Sequence, residues 1–255
     1  ESKVKSISQM TVRERVIDTL LYINRKFGDL RGFLKTFDNY RDSLNTAMGT
    51  NLELWLSEFG YDTSDNSPIQ VPTIGSSDNY EIQGQWIVRF YLETIAAGFD
   101  RAILYDLRDN CTQPGCSLFQ SSGLLENLDS MYRPKNSWYY TYTMKNVLTD
   151  MVFDADLTAC NDLSCPRVYR FIDPNNSNKR IYAVWSPTSN ATTLNYSLDI
   201  EGANTATLVE LGAPSIKGIS SALSGTNPSI SVSESPVFVV VGDNFSSGTA
   251  CTSNL

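Results

Sequence analysis

The fold of this chain is decided by the stretch LELWLSEFGYDT at residues 52–63. It starts as a short apolar run, which is typical of a parallel strand buried on both faces. The run ends in a carboxylate, a glycine and an aromatic residue, so Glu58 leaves the apolar layer where the strand opens onto a loop. In α/β folds, and in barrels above all, catalytic groups lie at this carboxyl end of the strands. We therefore expect Glu58 to carry the chemistry of the protein.

The residues on either side of this strand predict alternating helices and strands up to about residue 150. Apolar residues at helical spacing predict helices at 11–27, 30–48, 80–97 and from Pro134 onward. A second buried strand is predicted at 100–106, and long polar loops follow both strands. Two parallel strands do not form a stable sheet by themselves. We therefore expect this part of the chain to be the last portion of a larger βα structure.

Beyond about residue 151 the helical spacing disappears. Short β-rich runs separated by turn residues take its place, at residues 168–172, 180–185, 193–200, 206–211, 229–232 and 237–241. Short strands at such regular intervals predict an antiparallel β-sandwich. The last ten residues have the composition of a tail or linker.

The composition excludes several classes of function. A net charge of −8 without a basic cluster argues against nucleic acid as a partner. No apolar run reaches membrane-spanning length. The chain has no histidine, which excludes His-based triads and His-ligated metals. We predict no metal and no cofactor, and acid–base chemistry must use carboxylates, Tyr, Lys or Cys.

The cysteines indicate an oxidising compartment. Cys111 and Cys116 are separated by four residues, as are Cys160 and Cys165, and both pairs lie in polar, loop-like segments. This spacing is not that of zinc or thioredoxin-like sites, so we predict two loop-closing disulfides, with free thiols as the alternative. Cys251 is left over for a partner outside this chain.

Two further features bear on location. Asn-X-Ser/Thr triplets, which are glycosylation acceptors in secreted proteins, occur at Asn110, Asn175, Asn190, Asn195 and Asn244. The chain begins Glu1-Ser2-Lys3 without a signal-peptide pattern, so we expect it to start inside a protein or after processing. We predict a secreted or cell-surface glycoprotein.

Several segments resemble the clan A glycoside hydrolases, which are retaining enzymes built on a (β/α)8 barrel. Residues 55–62, WLSEFGYD, resemble the seventh-strand motif of that family, and residues 83–92, QGQWIVRFYL, resemble the helix after it. Residues 99–109 resemble the eighth strand with its following loop, and residues 122–125 and 133–139 resemble the lead into the last barrel helix. The β-rich remainder resembles the accessory sandwich that often follows such barrels.

This resemblance implies an α/β plus all-β organisation in three parts. Residues 1–150 would be the C-terminal portion of a (β/α)8 TIM barrel, residues 151–245 an accessory β-sandwich, and residues 246–255 a tail or linker. It also implies that Glu58 is the nucleophile. The family carries its acid/base in an Asn-Glu pair on strand four, and no Asn-Glu dipeptide occurs in this sequence. We expect that group on an N-terminal portion of the same protein, or on a second chain that completes the barrel.

The implied chemistry suits the residues present. Retaining hydrolysis of a glycosidic bond needs two carboxyl groups about 5–5.5 Å apart, one as nucleophile and one as acid/base. Glu58 fits the first role, and its alternative is a structural glutamate hydrogen-bonded at a strand end. Trp55 and Trp86 lie inside their elements, so we assign them to core packing.

Other candidate residues cluster after the two strands. Tyr61 and Tyr105 are candidates for stacking on a sugar or hydrogen-bonding the nucleophile, with ordinary half-buried aromatics as the alternative. Asp106, Arg108 and Asp109 either line the cleft or pair with each other. Asp62 either binds a substrate hydroxyl or is a solvated surface residue.

Two other functions stay open. The first is a non-catalytic surface or adhesive protein that uses a glycosidase-like fold as scaffold, because one fold serves many functions. The second is a carbohydrate-binding module built on the sandwich. A strand-four glutamate facing Glu58 would favour the enzyme, whose substrate would be a carbohydrate.

Overall fold

The structure is a computed structural model, and it describes residues 31–112, 115–160, 164–188 and 190–242 of the 255-residue chain. The helix predicted at 11–27, Cys251 and the glycosylation triplet at Asn244 lie outside the described residues.

The described part of the chain contains both helices and strands. Its α-helices are α1 Arg31–Met48, α2 Asn79–Ala96 and α3 Asn136–Val147, and a 3₁₀ turn spans Leu128–Ser130. Its strands are β1 Trp55–Phe59, β2 Arg101–Leu104, β3 Val152–Asp156, β4 Arg167–Asp173, β5 Asn176–Trp185, β6 Leu194–Ser197, β7 Thr205–Glu210, β8 Ile219–Ser224, β9 Ser229–Val232 and β10 Val237–Val241. The predicted mixture of helices with mostly antiparallel strands is confirmed.

The strands form three sheets among the described residues. β1 and β2 pair in parallel, and β3-β4-β5-β10-β7-β8 form a six-stranded antiparallel sheet in that order. β6 and β9 form a separate antiparallel pair. Two strands of the large sheet, β3 and β8, were not predicted. β3 carries two aspartates and β8 three serines, residue types that give no β signal.

Helix α2 is buried on nearly all sides. Asp78 caps its first turn by accepting a hydrogen bond from the Glu81 backbone amide at 2.9 Å. Trp86 on one face packs against the β1–β2 pair, and Val88 and Leu92 on another face pack against the six-stranded sheet. The helix therefore joins the parallel strands to the antiparallel part of the chain.

Strand β10 shows how the large sheet is buried on both faces. Phe238 and Val240 face α2 and α3, whereas Val237, Val239 and Val241 face the β6–β9 pair. This strict alternation follows from the two-residue period of a strand. Because one core contains residues of α2, α3 and the large sheet, packing continues across the predicted boundary at residue 150. The boundaries at 150 and 245 stay predictions.

Both predicted disulfide pairs lie at bonding distance. The Cα atoms of Cys111 and Cys116 are 5.7 Å apart, and those of Cys160 and Cys165 are 5.8 Å apart. Within the ranges that the structure describes, no helix has the length and apolar character needed to cross a membrane.

The ends of β1 and β2 approach each other closely at Gly60. A Cβ atom there would overlap the backbone carbonyl oxygen of Tyr105 and would press on Ser122 at 3.3 Å. The Tyr105 amide donates to the Phe59 carbonyl oxygen at 2.7 Å. This hydrogen bond holds the Tyr105 backbone in place beside Gly60. Only glycine fits at position 60 without moving backbone.

A buried ion pair ties the loop after β2 to the start of α3. The Lys135 ammonium donates to both carboxylate oxygens of Asp109, at 3.1 and 3.2 Å, and to the Ser121 carbonyl at 3.0 Å. The Gly123 amide also donates to Asp109. Burial lowers the pKa of Lys135 and raises the pKa of Asp109, and the contact between the two groups opposes both shifts.

We predict that Gly60→Ala destabilises the protein by about 1–3 kcal/mol, because the added methyl group forces two strand ends apart. Gly32→Ala is the matched control, since a Cβ at Gly32 in α1 meets nothing within 4 Å. Urea-induced unfolding measures both variants. Equal stability of the two would show that the Tyr105 carbonyl moves aside without cost.

We predict that Lys135→Met lowers the free energy of unfolding by about 3–5 kcal/mol, because it leaves the buried Asp109 without its cation. Arg133→Met is the control. Arg133 pairs with Glu126 at 2.7 Å with 72% of its side chain exposed, so its loss costs at most about 1 kcal/mol. Thermal and urea unfolding test the difference, and similar losses for the two variants would contradict it.

Candidate active site

A β-bulge sets the direction of Glu58. Leu56 and Phe59 both pack against the core that contains α2, and the register of β1 against β2 shifts between them. With regular alternation Glu58 would lie on the same side as Leu56. The shift instead leaves both Ser57 and Glu58 exposed, on the side of the sheet away from α2. Bulges of this kind re-aim side chains beside active sites.

Tyr105 lies at the same edge of the sheet as Glu58. Phe59 pairs with Leu104, and Tyr105 follows directly, joined to its neighbour Asp106 by a cis peptide bond. The Tyr105 side chain is 39% exposed and meets the Phe119 ring edge-on at 5.6 Å. An aromatic ring is thus accessible at the end of the sheet that also carries Glu58.

The loop after β2 adds charged and polar groups to this edge. Asp106 accepts hydrogen bonds from the Arg108 amide at 2.9 Å and from the Asn110 side chain at 2.7 Å. The Arg108 guanidinium donates to the Tyr132 hydroxyl at 3.2 Å and lies 5.4 Å from the centre of its ring. Asp106 and Arg108 are therefore linked through backbone rather than through a side-chain ion pair.

Tyr132 was missed by the sequence analysis. Its side chain is 38% exposed, and only folding of the loop brings it beside Arg108, which lies 24 positions earlier. No spacing or periodicity in the sequence points to that contact.

Tyr61 and Asp62 do not share this exposed position. The Tyr61 ring is 6% exposed and packs edge-on against Trp86 at 5.6 Å. Asp62 is fully buried and accepts hydrogen bonds from the Ser67 hydroxyl at 2.5 Å and the Phe119 amide at 2.6 Å. Direct substrate contact by these two residues has no support in this geometry, because neither side chain reaches the surface. Asp62 joins the loop after β1 to the loop after β2 through these hydrogen bonds.

The prediction that β1 is buried on both faces is wrong for the described residues, because one face of the strand is exposed. Trp86 is buried as predicted, but Trp55 is 52% exposed and Leu52 is 45% exposed. On β2 and just beyond it, Ile103 is 48% exposed and Leu107 59% exposed. The β1–β2 pair therefore has one face packed on α2 and one apolar face without cover among the described residues.

The predicted glycosylation acceptors that are described, Asn110, Asn175, Asn190 and Asn195, are all exposed. In the part of the chain that the structure describes, no three His, Cys, Asp or Glu side chains come together as a metal site. What this edge presents is a carboxylate beside an aromatic ring, a guanidinium and amide donors, a combination suited to polar ligands with hydroxyl groups.

No protein-family model and no curated protein sequence matches the chain. Among solved structures, a family 39 glycoside hydrolase from the gut symbiont Bacteroides cellulosilyticus is similar over 82% of this chain, with 16% identity and a TM-score of 0.61. A conserved exported protein from Bacteroides fragilis is similar over 83% of the chain, with 12% identity and a TM-score of 0.56. The chain spans 38% and 43% of the lengths of these two proteins. At such identities the likeness concerns the fold alone, and the chain has a glycoside hydrolase-like fold.

Proposed function

We propose that this chain is part of a secreted retaining glycoside hydrolase and that Glu58 is its nucleophile. The observation that carries the proposal is the exposed carboxylate of Glu58 at the carboxyl end of a parallel strand, turned outward by a bulge. The glycoside hydrolase-like fold supports the proposal, because barrel enzymes hold their catalytic groups at the carboxyl ends of their strands, and Glu58 lies near such a strand end.

The mechanism is a double displacement. The Glu58 carboxylate attacks the anomeric carbon, the bond from that carbon to the leaving oxygen breaks, and a second carboxylic acid protonates the leaving group. That second group then takes a proton from water, the water oxygen attacks the same carbon, and the glycosyl ester is released as sugar and free Glu58. Arg108 and the exposed rings of Tyr105 and Tyr132 would bind sugar hydroxyls and apolar sugar faces.

The second carboxyl group would come from polypeptide that completes the barrel, either an N-terminal portion of the same protein or a second chain. The open face of the β1–β2 pair supports this. Large apolar side chains such as Trp55, Ile103 and Leu107 lie exposed there, although parallel sheets are normally covered on both faces. Additional strands beside β1 and β2 would bury them and bring the acid/base opposite Glu58.

Secretion is supported by the two disulfide pairs, because such bonds persist in oxidising compartments. The exposed positions of the described glycosylation triplets are compatible with it. The carbohydrate substrate follows from the proposed chemistry.

We predict that Glu58→Gln in the complete protein lowers turnover by roughly three or more powers of ten, because the amide cannot form the glycosyl ester. Glu53→Gln, at an exposed glutamate just before β1, is the control and keeps the normal rate. Release of the aglycone from aryl glycosides measures both.

Azide should restore turnover in Glu58→Ala and give a glycosyl azide of inverted configuration, since an external anion replaces the carboxylate. Near-normal hydrolysis by Glu58→Gln would refute the assignment, and a complete protein inactive on all glycosides would favour the non-catalytic scaffold.

We predict that Ile103→Lys lowers the stability of the complete protein by more than about 3 kcal/mol, because it places an unpaired charge between packed strands. Ile219→Lys is the control. Ile219 lies on the edge strand β8 with 59% exposure, and its replacement should change stability by no more than about 0.5 kcal/mol. Chemical unfolding tests this. Equal, small effects would mean that the open face stays in solvent and that no further strands cover it.

A further inference from the structure

A polar cavity lies beside the first half of α2, apart from the residues of the candidate active site. It has a volume of about 180 Å³. One wall is formed by the first half of α2 and the loop before it, and the other by the segments 191–193 and 233–235 of the antiparallel part. Glu58 lies on the face of the β1–β2 pair that points away from α2. The cavity and the candidate active site share no residue.

The lining of this cavity is rich in hydroxyl groups. Side chains of Ser76, Ser77, Thr193, Ser233 and Ser235 contribute to it. A hydroxyl group both donates and accepts hydrogen bonds, so such a wall matches a ligand whose own groups do the same. Two buried isoleucines complete the lining and offer an apolar surface, Ile74 and Ile82.

Gln85 is the one long polar side chain buried on α2 that lines the cavity, although the amide oxygen of Gln83 also has no hydrogen-bond partner among the described residues. Gln83 donates to the Tyr61 carbonyl at 2.6 Å, Arg89 to Glu234 at 2.6 Å, and Glu93 accepts from the Tyr169 hydroxyl at 2.7 Å. Gln85 is only 3% exposed, lines the cavity, and its amide oxygen has no hydrogen-bond partner among the described residues.

A buried amide oxygen without a hydrogen-bond partner destabilises the folded state unless a ligand or a water molecule donates to it. The terminal torsion of a glutamine is broad, so a small rotation presents either the oxygen or the nitrogen to a group in the cavity. Gln85 is thus positioned to bind a ligand that donates and accepts hydrogen bonds.

The charge in the cavity wall is already balanced. Glu234 is 4% exposed, pairs with Arg89 at 2.6 Å and accepts a hydrogen bond from Thr188 at 3.1 Å. A cation would have to compete with Arg89, and an anion would face the Glu234 carboxylate. This favours a neutral ligand. The cavity volume of about 180 Å³ corresponds to roughly six water molecules at about 30 Å³ each, so the cavity takes only a small ligand.

We propose that this cavity is a second carbohydrate-binding site that holds one neutral sugar unit, with Gln85 hydrogen-bonding its hydroxyl groups. The site does not depend on the activity of Glu58. A sugar bound here would touch α2 and the antiparallel part of the chain at the same time.

The test uses the complete protein, produced without N-glycosylation so that no glycan on the neighbouring Asn190 competes. Glucose, galactose and xylose serve as probes in saturation-transfer NMR and calorimetric titration. At least one of them should bind with a Kd of about 1–10 mM. Ser76→Phe, at an exposed position in the cavity wall, and Gln85→Met should each weaken that binding about tenfold or more.

Thr73→Phe is the matched control, because Thr73 is exposed in the same loop but does not line the cavity. It should keep the affinity of the unmodified protein. Ser76→Phe keeps the test decisive if Gln85→Met fails to fold, since its side chain stays at the surface. Binding that Ser76→Phe leaves unchanged, or a crystal grown with the bound sugar in which the cavity holds water alone, would overturn the proposal. Loss of hydrolysis in Glu58→Gln with sugar binding here unaltered would separate this site from the catalytic one.

Discussion

The structure depends on the enclosure of one helix. α2 carries an almost continuous run of buried residues, so each of its faces must meet another part of the chain. Its apolar side chains do this by packing on the parallel strands and on the six-stranded sheet. Its polar side chains do it through Gln83, Arg89 and Glu93, each bonded to a different segment. The position of β1, and of Glu58 on it, follows from this enclosure.

The parallel pair has an asymmetry that the antiparallel part lacks. In the large sheet, β10 buries alternate residues on both faces and its five residues are all inaccessible. In the β1–β2 pair, the helix side is packed, while Trp55 and Ile103 on the other side are about half exposed. Large apolar side chains on strands are therefore buried in one sheet and half exposed in the other. The difference lies in what covers each sheet, which is a property of the surroundings rather than of the strand.

Much of this architecture can be read from the sequence. Periodicity located the three described helices to within two residues, and β9 and β10 at their observed bounds. β3 and β8 could not be found, because aspartates and serines occupy positions that neighbouring strands hold in place. At the candidate site, the position of Glu58 at a strand end was predictable. The burial of Tyr61 and Asp62 and the contact of Tyr132 with Arg108 were not, since they depend on how distant loops fold onto each other.

The bulge between Leu56 and Phe59 leaves the outward direction of Glu58 dependent on the two side chains that flank it. Leu56 and Phe59 both pack in the core, and β1 holds one residue more between them than the paired stretch of β2. Removing Ser57 would restore a regular ladder, in which Glu58 is the single residue between the two anchors and still points outward. A protein of this fold can therefore lose the bulge and keep its acid on the open face, provided that both flanking apolar residues stay in the core.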